Sequence, residues 1–354
     1  MKRVWLTSAL LGSLFCSVTG WAIDSVERFG ADKPVGGEIK SVSKTEVVVF
    51  QKVGNKEEKI PANEVISIEW DGEPAAFGLA RGAEAARNYQ VALEQLTEAA
   101  DDAKGGDSKM LADINYYMAR ASAKMALADP AQAEAAITRL KGWLTANRDN
   151  FRFYEGQALL AEVALRSKDY VAADTAYTSL STAPWADTKM LGQIGQARAA
   201  LAQNNLAEAQ KIFDTVAVID AKTPLEAARK QQAMLGQASC LQSEKKYPEA
   251  IKILEQVIEQ ADADESRILA EAYVRQGDCL NALGQNPKEA IMAYLHVDVI
   301  PSLASEVDLH AESLYQLSKL WGAVGQPGRV AEATAKLEQL YPTSEWAKKL
   351  APGT

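Results

Sequence analysis

Histidine and cysteine are scarce in this chain of 354 residues, which has two of the first and three of the second. So small a supply of imidazole and thiol removes most routes to a zinc or transition-metal centre and to nucleophilic catalysis by a cysteine–histidine pair. His296 and His310 stand in no His-Glu-x-x-His or related spacing, so each is read as a solvated or packed side chain. No Gly-rich phosphate loop follows a strand, and Lys104-Gly105-Gly106-Asp107 reads as an interhelical loop. The Gly-x-Ser-x-Gly elbow of the hydrolases is missing as well. Carboxylates are plentiful, but Asp101-Asp102 and Asp262-Ala263-Asp264-Glu265 fall at helix ends or loops, where we read them as caps for the following helix rather than calcium ligands. The residues imply no cofactor and no metal, and an enzyme is the least favoured class.

Long apolar runs are missing too, except at the start. Lys2 and Arg3 precede an apolar stretch from Val4 to Val18, and Gly20-Trp21-Ala22 supplies small residues for cleavage after Ala22. We read residues 1–22 as a signal peptide, which makes the protein exported, periplasmic or associated with the cell envelope. Cys16 would suggest a lipid anchor, but Phe15 stands directly before it where that signal requires a small residue. No later segment approaches the roughly 18 apolar residues of a spanning helix. Basic charge is short: removing Lys2 and Arg3 from 38 basic residues leaves 36 against 47 acidic ones, a formal charge of −11 that repels nucleic acid. Cys240 and Cys279 survive processing, in corresponding helices of neighbouring units. We expect small packing residues there rather than a disulfide.

What the chain has is a period. Ala92, Ala133, Ala173, Ala209, Ala250 and Ala290 stand 41, 40, 36, 41 and 40 residues apart, each opening an apolar helical stripe, and Ala331 or Ala333 begins a seventh cycle. One helix pair cannot bury its own apolar face, so a repeat of this length predicts stacked helix pairs. The fifth unit is clearest. Leu235, Ala238 and Leu241 line one helix, Lys245-Lys246-Tyr247-Pro248 turns the chain, and Ala250, Ile251, Leu254, Val257 and Ile258 share one face of the next. Lys168-Asp169, Asn204-Asn205, Gly284-Gln285-Asn286-Pro287 and Gly325-Gln326-Pro327-Gly328 are the matching turns.

Before these units the texture differs. Ile23 to Lys33 is a leader without strong period. Four β-branched runs follow, Gly37 to Ser43, Thr45 to Lys52, Lys56 to Pro61 and Val65 to Trp70, with a tight hairpin at Val53-Gly54-Asn55. Val47, Val49, Ile60, Val65, Ile66 and Ile68 are too few for a large sandwich, so residues 31–72 predict a small four-stranded domain, an SH3-like barrel or curled sheet. Asp71-Gly72-Glu73-Pro74 then starts the helical region, residues 74–354.

The small residues Ala161, Ala197, Ala238 and Gly277 on first helices, followed by Ala173-Tyr177-Leu180, Ala209-Phe213-Val216, Ala250-Leu254-Val257 and Ala290-Tyr294-Val297 on second helices, resemble the tetratricopeptide repeat family. The resemblance spans about residues 75 to 350. Units near 40 residues depart from that family's usual 34, the second unit, Met110 to Arg148, matches loosely, and HEAT-type repeats share the longer period. Tyr341-Pro342-Thr343-Ser344 with Ala347 is similar to a terminal segment of secreted bacterial tetratricopeptide proteins that serve envelope assembly. The expected fold is mainly α, an α-α superhelix of about seven pairs behind a small β domain. Because each unit touches only its neighbours, the array is expected to be elongated and open.

The resemblance implies a concave surface, lined by first helices, that holds a partner protein or peptide. Arg120, Arg166, Arg198 and Arg275 lie there at comparable places and are the candidate partner-binding residues, with Arg198 and Arg275 expected to face solvent; ordinary helix-surface charges paired with neighbouring acids are the competing reading. Trp70, Trp143, Trp185, Trp321 and Trp346 are read as sealing joints between units. The expected function is a non-catalytic protein-interaction scaffold of the envelope. The alternative is a carbohydrate- or peptidoglycan-binding protein that uses the β domain and aromatic rings.

Overall fold

We describe residues 23–350 of a computed structural model; the signal peptide read over residues 1–22, Cys16 included, and residues 351–354 lie outside the described residues. Strands β1 (Asp24–Arg28), β2 (Val35–Val42), β3 (Glu46–Gln51), β4 (Lys56–Pro61) and β5 (Val65–Glu69) form one antiparallel sheet in the order β4-β3-β2-β1-β5. The expected four strands are therefore five, and the strand missed lies ahead of residue 31, inside the stretch read as a leader. Its sequence, Asp-Ser-Val-Glu-Arg, buries only Val26 completely and carries no β-branched run. Pairing on both flanks makes it a strand, with β2 on one side and β5 on the other, so tertiary context overrides weak propensity. The Asp24 carboxylate also accepts from the backbone N–H of Ile39 and of Asp71, each at 2.8 Å.

The sheet is curled. Register shifts at Glu27/Arg28 and Ile39/Ser41 bend it, and Arg28 Nη2 reaches Glu58 Oε1 at 3.6 Å, from β1 to the far edge strand β4. A 3₁₀ turn, Ala62–Glu64, leads into β5. Val26, Ile39, Val47, Val49, Ile60 and Ile68 fill the inner face, and this core continues without a break into the helices.

Seven helix pairs follow among the described residues. They are α1 (Ala75–Ala85) with α2 (Tyr89–Asp102), α3 (Ser108–Ala128) with α4 (Ala133–Ala146), α5 (Phe153–Arg166) with α6 (Tyr170–Leu180), and α7 (Ala186–Ala202) with α8 (Leu206–Ala217). Then come α9 (Pro224–Ser243) with α10 (Tyr247–Gln260), α11 (Ser266–Leu283) with α12 (Pro287–Val299), a single turn α13 (Pro301–Ala304), α14 (Val307–Ala323) with α15 (Pro327–Leu340), and a short α16 (Glu345–Leu350). Every spaced alanine from Ala92 to Ala290 is buried, and the seventh cycle is carried by Ala333, since Ala331 is exposed.

Two local devices keep the period. The turns within the first, third, fourth, fifth, sixth and seventh pairs each hold one left-handed residue: Arg87, Lys168, Asn204, Lys245, Gly284 and Gly325. The second pair turns instead through Asp129 and a 3₁₀ segment, Pro130–Gln132, which accounts for its loose match. The second device is a ring pressed onto a glycine. A Cβ on Gly195, Gly236 or Gly277 would stand 2.1, 2.2 or 2.6 Å from an atom of Tyr177, Phe213 or Tyr294 respectively. Each ring is the residue four places after a spaced alanine, so the sequence supplied the ring while the glycine facing it was recognised only at Gly277.

Cys240 and Cys279 are buried free thiols, each pushed up by burial, to about 11 and about 12. The array is less open than expected. Arg87, in the turn of the first pair, lies 4.0 Å from Glu306 at the start of the seventh, and Arg166 at the end of α5 lies 3.6 Å from Glu345 on α16. Small rotations between neighbours accumulate over seven pairs until the last approaches the first, a consequence that nearest-neighbour reasoning leaves out.

Two glycines give opposite expectations. Gly236→Ala should destabilise by about 1–3 kcal/mol, because the added methyl meets a buried ring that cannot swing aside. Gly142→Ala, exposed on α4 with nothing within 4 Å, should stabilise by about 0.5–1 kcal/mol through helix propensity. Thermal melts of the two variants against the parent check both signs.

Candidate interaction groove and its arginine cluster

The four arginines singled out in the sequence do not form a common row of free charges. Arg120 on α3 is gripped by Glu84 of α1 through Nε and Nη2, both at 2.7 Å, and its Nη1 lies 3.4 Å from Glu155 Oε1 on α5. Arg275 on α11 makes the same two-pronged contact with Glu312 of α14 at 3.1 and 2.8 Å, with Asp278 at 2.5 Å. Arg166 is half exposed and meets Glu345. Only Arg198 on α7 matches the expectation in part, being half buried without an ion-pair partner among the described residues. The expectation that Arg275 faces solvent is corrected. Its guanidinium is needed to offset Asp278 and Glu312, and burial pushes the Glu312 carboxyl above the ordinary glutamate range despite Arg275.

The densest polar chemistry lies where the sheet meets the first three helix pairs. Trp70, just past β5, donates its indole N–H to Asp113 Oδ2 on α3 at 3.0 Å. The other oxygen of that fully buried carboxylate takes Nε of Arg152 at 3.2 Å. Arg152 stands immediately before α5 with its side chain 2 % exposed, and its Nη1 reaches Glu155 at 2.9 Å. Asn150 Oδ1 accepts the Arg152 backbone N–H at 2.9 Å and fixes this corner. The guanidinium also lies 4.7 Å from the centre of the Phe151 ring. Burial raises the Glu155 carboxyl, but Arg152 and Arg120 outweigh it and hold the group below the ordinary glutamate range. Neither Asp113 nor Arg152 was singled out in the sequence. Each reads there as one more helix charge, and only the three-dimensional meeting of β5, α3 and α5 gives them partners.

Beside this network opens a cavity of about 350 Å³. The sheet contributes Asn63 and Ile66, and the inner wall of the solenoid contributes Tyr154, Trp185 and Leu191 with Arg120, Arg152 and Arg229. Asn63 Nδ2 donates to Asp187 Oδ1 on α7 at 3.0 Å, and the backbone N–H of Lys44 donates to Asp149 at 2.9 Å. The β domain thus covers one end of the groove rather than standing apart. Trp185 packs edge-on against Tyr154, with ring centres 5.9 Å apart. Its role as a joint seal holds, but one side of it also lines the cavity. Arg229 on α9 was not anticipated. Its one side-chain hydrogen bond among the described residues is from Nη1 to the neutral Gln232 at 3.1 Å, its Nε is buried without a partner among them, and burial lowers its affinity for the proton. The two histidines lie elsewhere: His296 stacks on Tyr273 at 4.3 Å, and His310 is buried between Asp298 and Tyr341.

No protein-family model and no curated protein matches the chain. Among solved structures, a tetratricopeptide repeat protein from Parabacteroides merdae aligns at 15 % identity with a TM-score of 0.51, over 78 % of this chain and 95 % of that one. A Rap protein complexed with competence and sporulation factor gives 0.47 at 15 % identity over 78 % and 77 % of the two chains, and apo RapI gives 0.46 at 11 % over 77 % and 78 %. The fold is a tetratricopeptide-like solenoid.

Two expectations follow from the charges. Arg275→Glu should lower the melting temperature clearly, since it gathers a third carboxylate beside Asp278 and Glu312, whereas Arg198→Glu should change stability by less than about 1 kcal/mol. Acid stability should depend on Glu155. A carboxyl held below its unfolded value of 4.5 binds fewer protons when folded, so its contribution is present above that pH and is lost as pH falls through the lower folded value. Melting curves between pH 3 and 7, values set around the glutamate range, should fall less steeply on the acid side for Glu155→Gln than for the parent.

Proposed function

We propose that this protein is an exported, non-catalytic scaffold of the bacterial cell envelope that holds a segment of a partner protein against the inner wall of its solenoid. The supporting observation is the cavity where the sheet closes one end of the groove, with aromatic and arginine side chains on the same walls. A stacked array offers an extended concave surface, and apolar rings with a few fixed polar groups are the usual make-up of a recognition site. Export rests on the composition of residues 1–22. A carbohydrate or peptidoglycan ligand is the rival reading, favoured by Trp185 standing beside Asn63, Asp187 and Thr188.

The two readings separate in one experiment. Ile66 lines the cavity at 46 % exposure and Val171 lies on α6, away from it, at 79 %, so a lysine at either place should be tolerated by the fold. In capture from envelope extract, Ile66→Lys should lose an enriched protein that Val171→Lys retains. Equal capture by both variants would remove the groove from the function, and selective retention on peptidoglycan or its sugars would favour the rival.

A further inference from the structure

The apolar core of the helical array is divided in three. One cluster joins the sheet to the first three helix pairs, a second gathers Phe213, Leu235 and Leu254 of pairs four and five, and a third gathers Val274, Tyr294 and Leu317 of the last two. Helices α7 and α11 stand at the joints: Leu191 and Ile194 of α7 pack into different clusters, as do Ala272 and Val274 of α11. A stacked array bends most readily where its core is interrupted. The two ends that these joints separate nevertheless meet, and they meet through charge. Arg87 Nη2 lies 4.0 Å from Glu306 Oε1, and Arg166 Nη2 lies 3.6 Å from Glu345 Oε1. Asp129, held below the ordinary aspartate range by the Gln132 side chain and the Ala131 N–H, also feels the charge of Lys348 on α16. Among the described residues no core side chain of the last pair belongs to the first cluster; Tyr315, Trp346 and Leu350 pack on Ala311, Leu314 and Leu337 of their own pair.

We propose that these ion pairs form a salt-sensitive clasp, which holds the first and last parts of the solenoid together and, on release, lets the array open at the α7 and α11 joints. Its members are placed to part. The side chains of Arg87, Arg166 and Glu345 are 39, 52 and 56 % exposed, so water solvates them once the pairs separate. Neither acid is stranded by opening, because Glu306 keeps Arg267 at 3.3 Å and Glu345 keeps Lys349 at 3.5 Å. Closure does not follow from overall charge, since a net −9 pushes the ends of the chain apart. Basic side chains on the first and third pairs, set against acidic ones on the last pair and α16, supply the attraction where the ends meet. An exposed pair biases such an equilibrium by no more than about fivefold, and salt shortens the reach of charge from about 8 Å at physiological strength to about 3 Å at 1 M. The clasp therefore lies near balance, closed in dilute buffer and open in concentrated salt, and it sets how far the inner wall is exposed along its length. It is a property of the chain alone and stands whether or not a partner occupies the groove.

Small-angle scattering of the purified chain, extrapolated to zero concentration, tests the clasp. Raising sodium chloride from about 50 mM to about 1 M should increase the radius of gyration and the maximum dimension together. Arg87→Glu combined with Arg166→Glu should give the larger particle already at low salt and remove the salt response, with the melting temperature unchanged, because exposed pairs add little to folding. Adding Glu345→Arg to Arg166→Glu should bring back the smaller particle, since the pair is then reversed rather than lost. Dimensions unmoved by salt and by the double reversal overturn the proposal. Expansion accompanied by loss of helical circular dichroism overturns it as well, because the helix pairs would then be unfolding rather than swinging apart.

Discussion

A single buried carboxylate joins the two halves of this molecule. Asp113 is fully inside, and an unpaired carboxylate there would cost several kcal/mol, so the fold is obliged to bring it donors. It receives one from each direction: the indole of Trp70 at the end of the sheet, and the guanidinium of Arg152 at the start of the third helix pair. From Arg152 the chain of contacts runs through Glu155 to Arg120 and on to Glu84, so the sheet and the first three helix pairs share one polar network within one apolar core. Most members hold two partners, so the arrangement couples its charges in a chain rather than in isolated surface pairs.

That network explains why the β domain sits where it does. A free-standing sheet of five short strands buries little, and its apolar face must be covered by something. Here it shares one continuous core with Phe77 and Ala80 of α1, Leu96 of α2 and Tyr117 of α3. The 3₁₀ turn before β5 is then carried over the inner wall of the solenoid, where Asn63 reaches Asp187 on α7. One end of an otherwise continuous groove is closed by the same residues that anchor the sheet.

Periodic features were legible in the sequence and solitary ones were not. The spaced alanines, the rings four residues after them and the turn residues recur, so each unit corroborates the others, and all of them appear where the period puts them. Strand β1 has no such support: five residues with one buried valine become a strand only because two neighbours bond to it. The same holds for charge. Arg120, Arg166, Arg198 and Arg275 were chosen because helix phase turns them inward, but phase is silent about which carboxylate will arrive from a neighbouring unit or from the far end of the array. Glu84, Glu345 and Glu312 do arrive, and three of the four arginines acquire partners. Arg152 was invisible because Asp113 meets it only in three dimensions, and Arg229 for the complementary reason, since what sets it apart is a missing carboxylate partner, which leaves no trace in a pattern of residue types.

The charges along the inner wall are consequently sorted by how completely the fold satisfies them. At the far end, Arg275 and Arg267 are paired with Asp278 and Glu312 and with Asp308 and Glu306 respectively. Near the sheet, one nitrogen of Arg152 and one of Arg229 are buried without a hydrogen-bond partner among the described residues. The molecule is therefore finished electrostatically at the end where the solenoid folds back on its first pair, and unfinished where the sheet closes the groove.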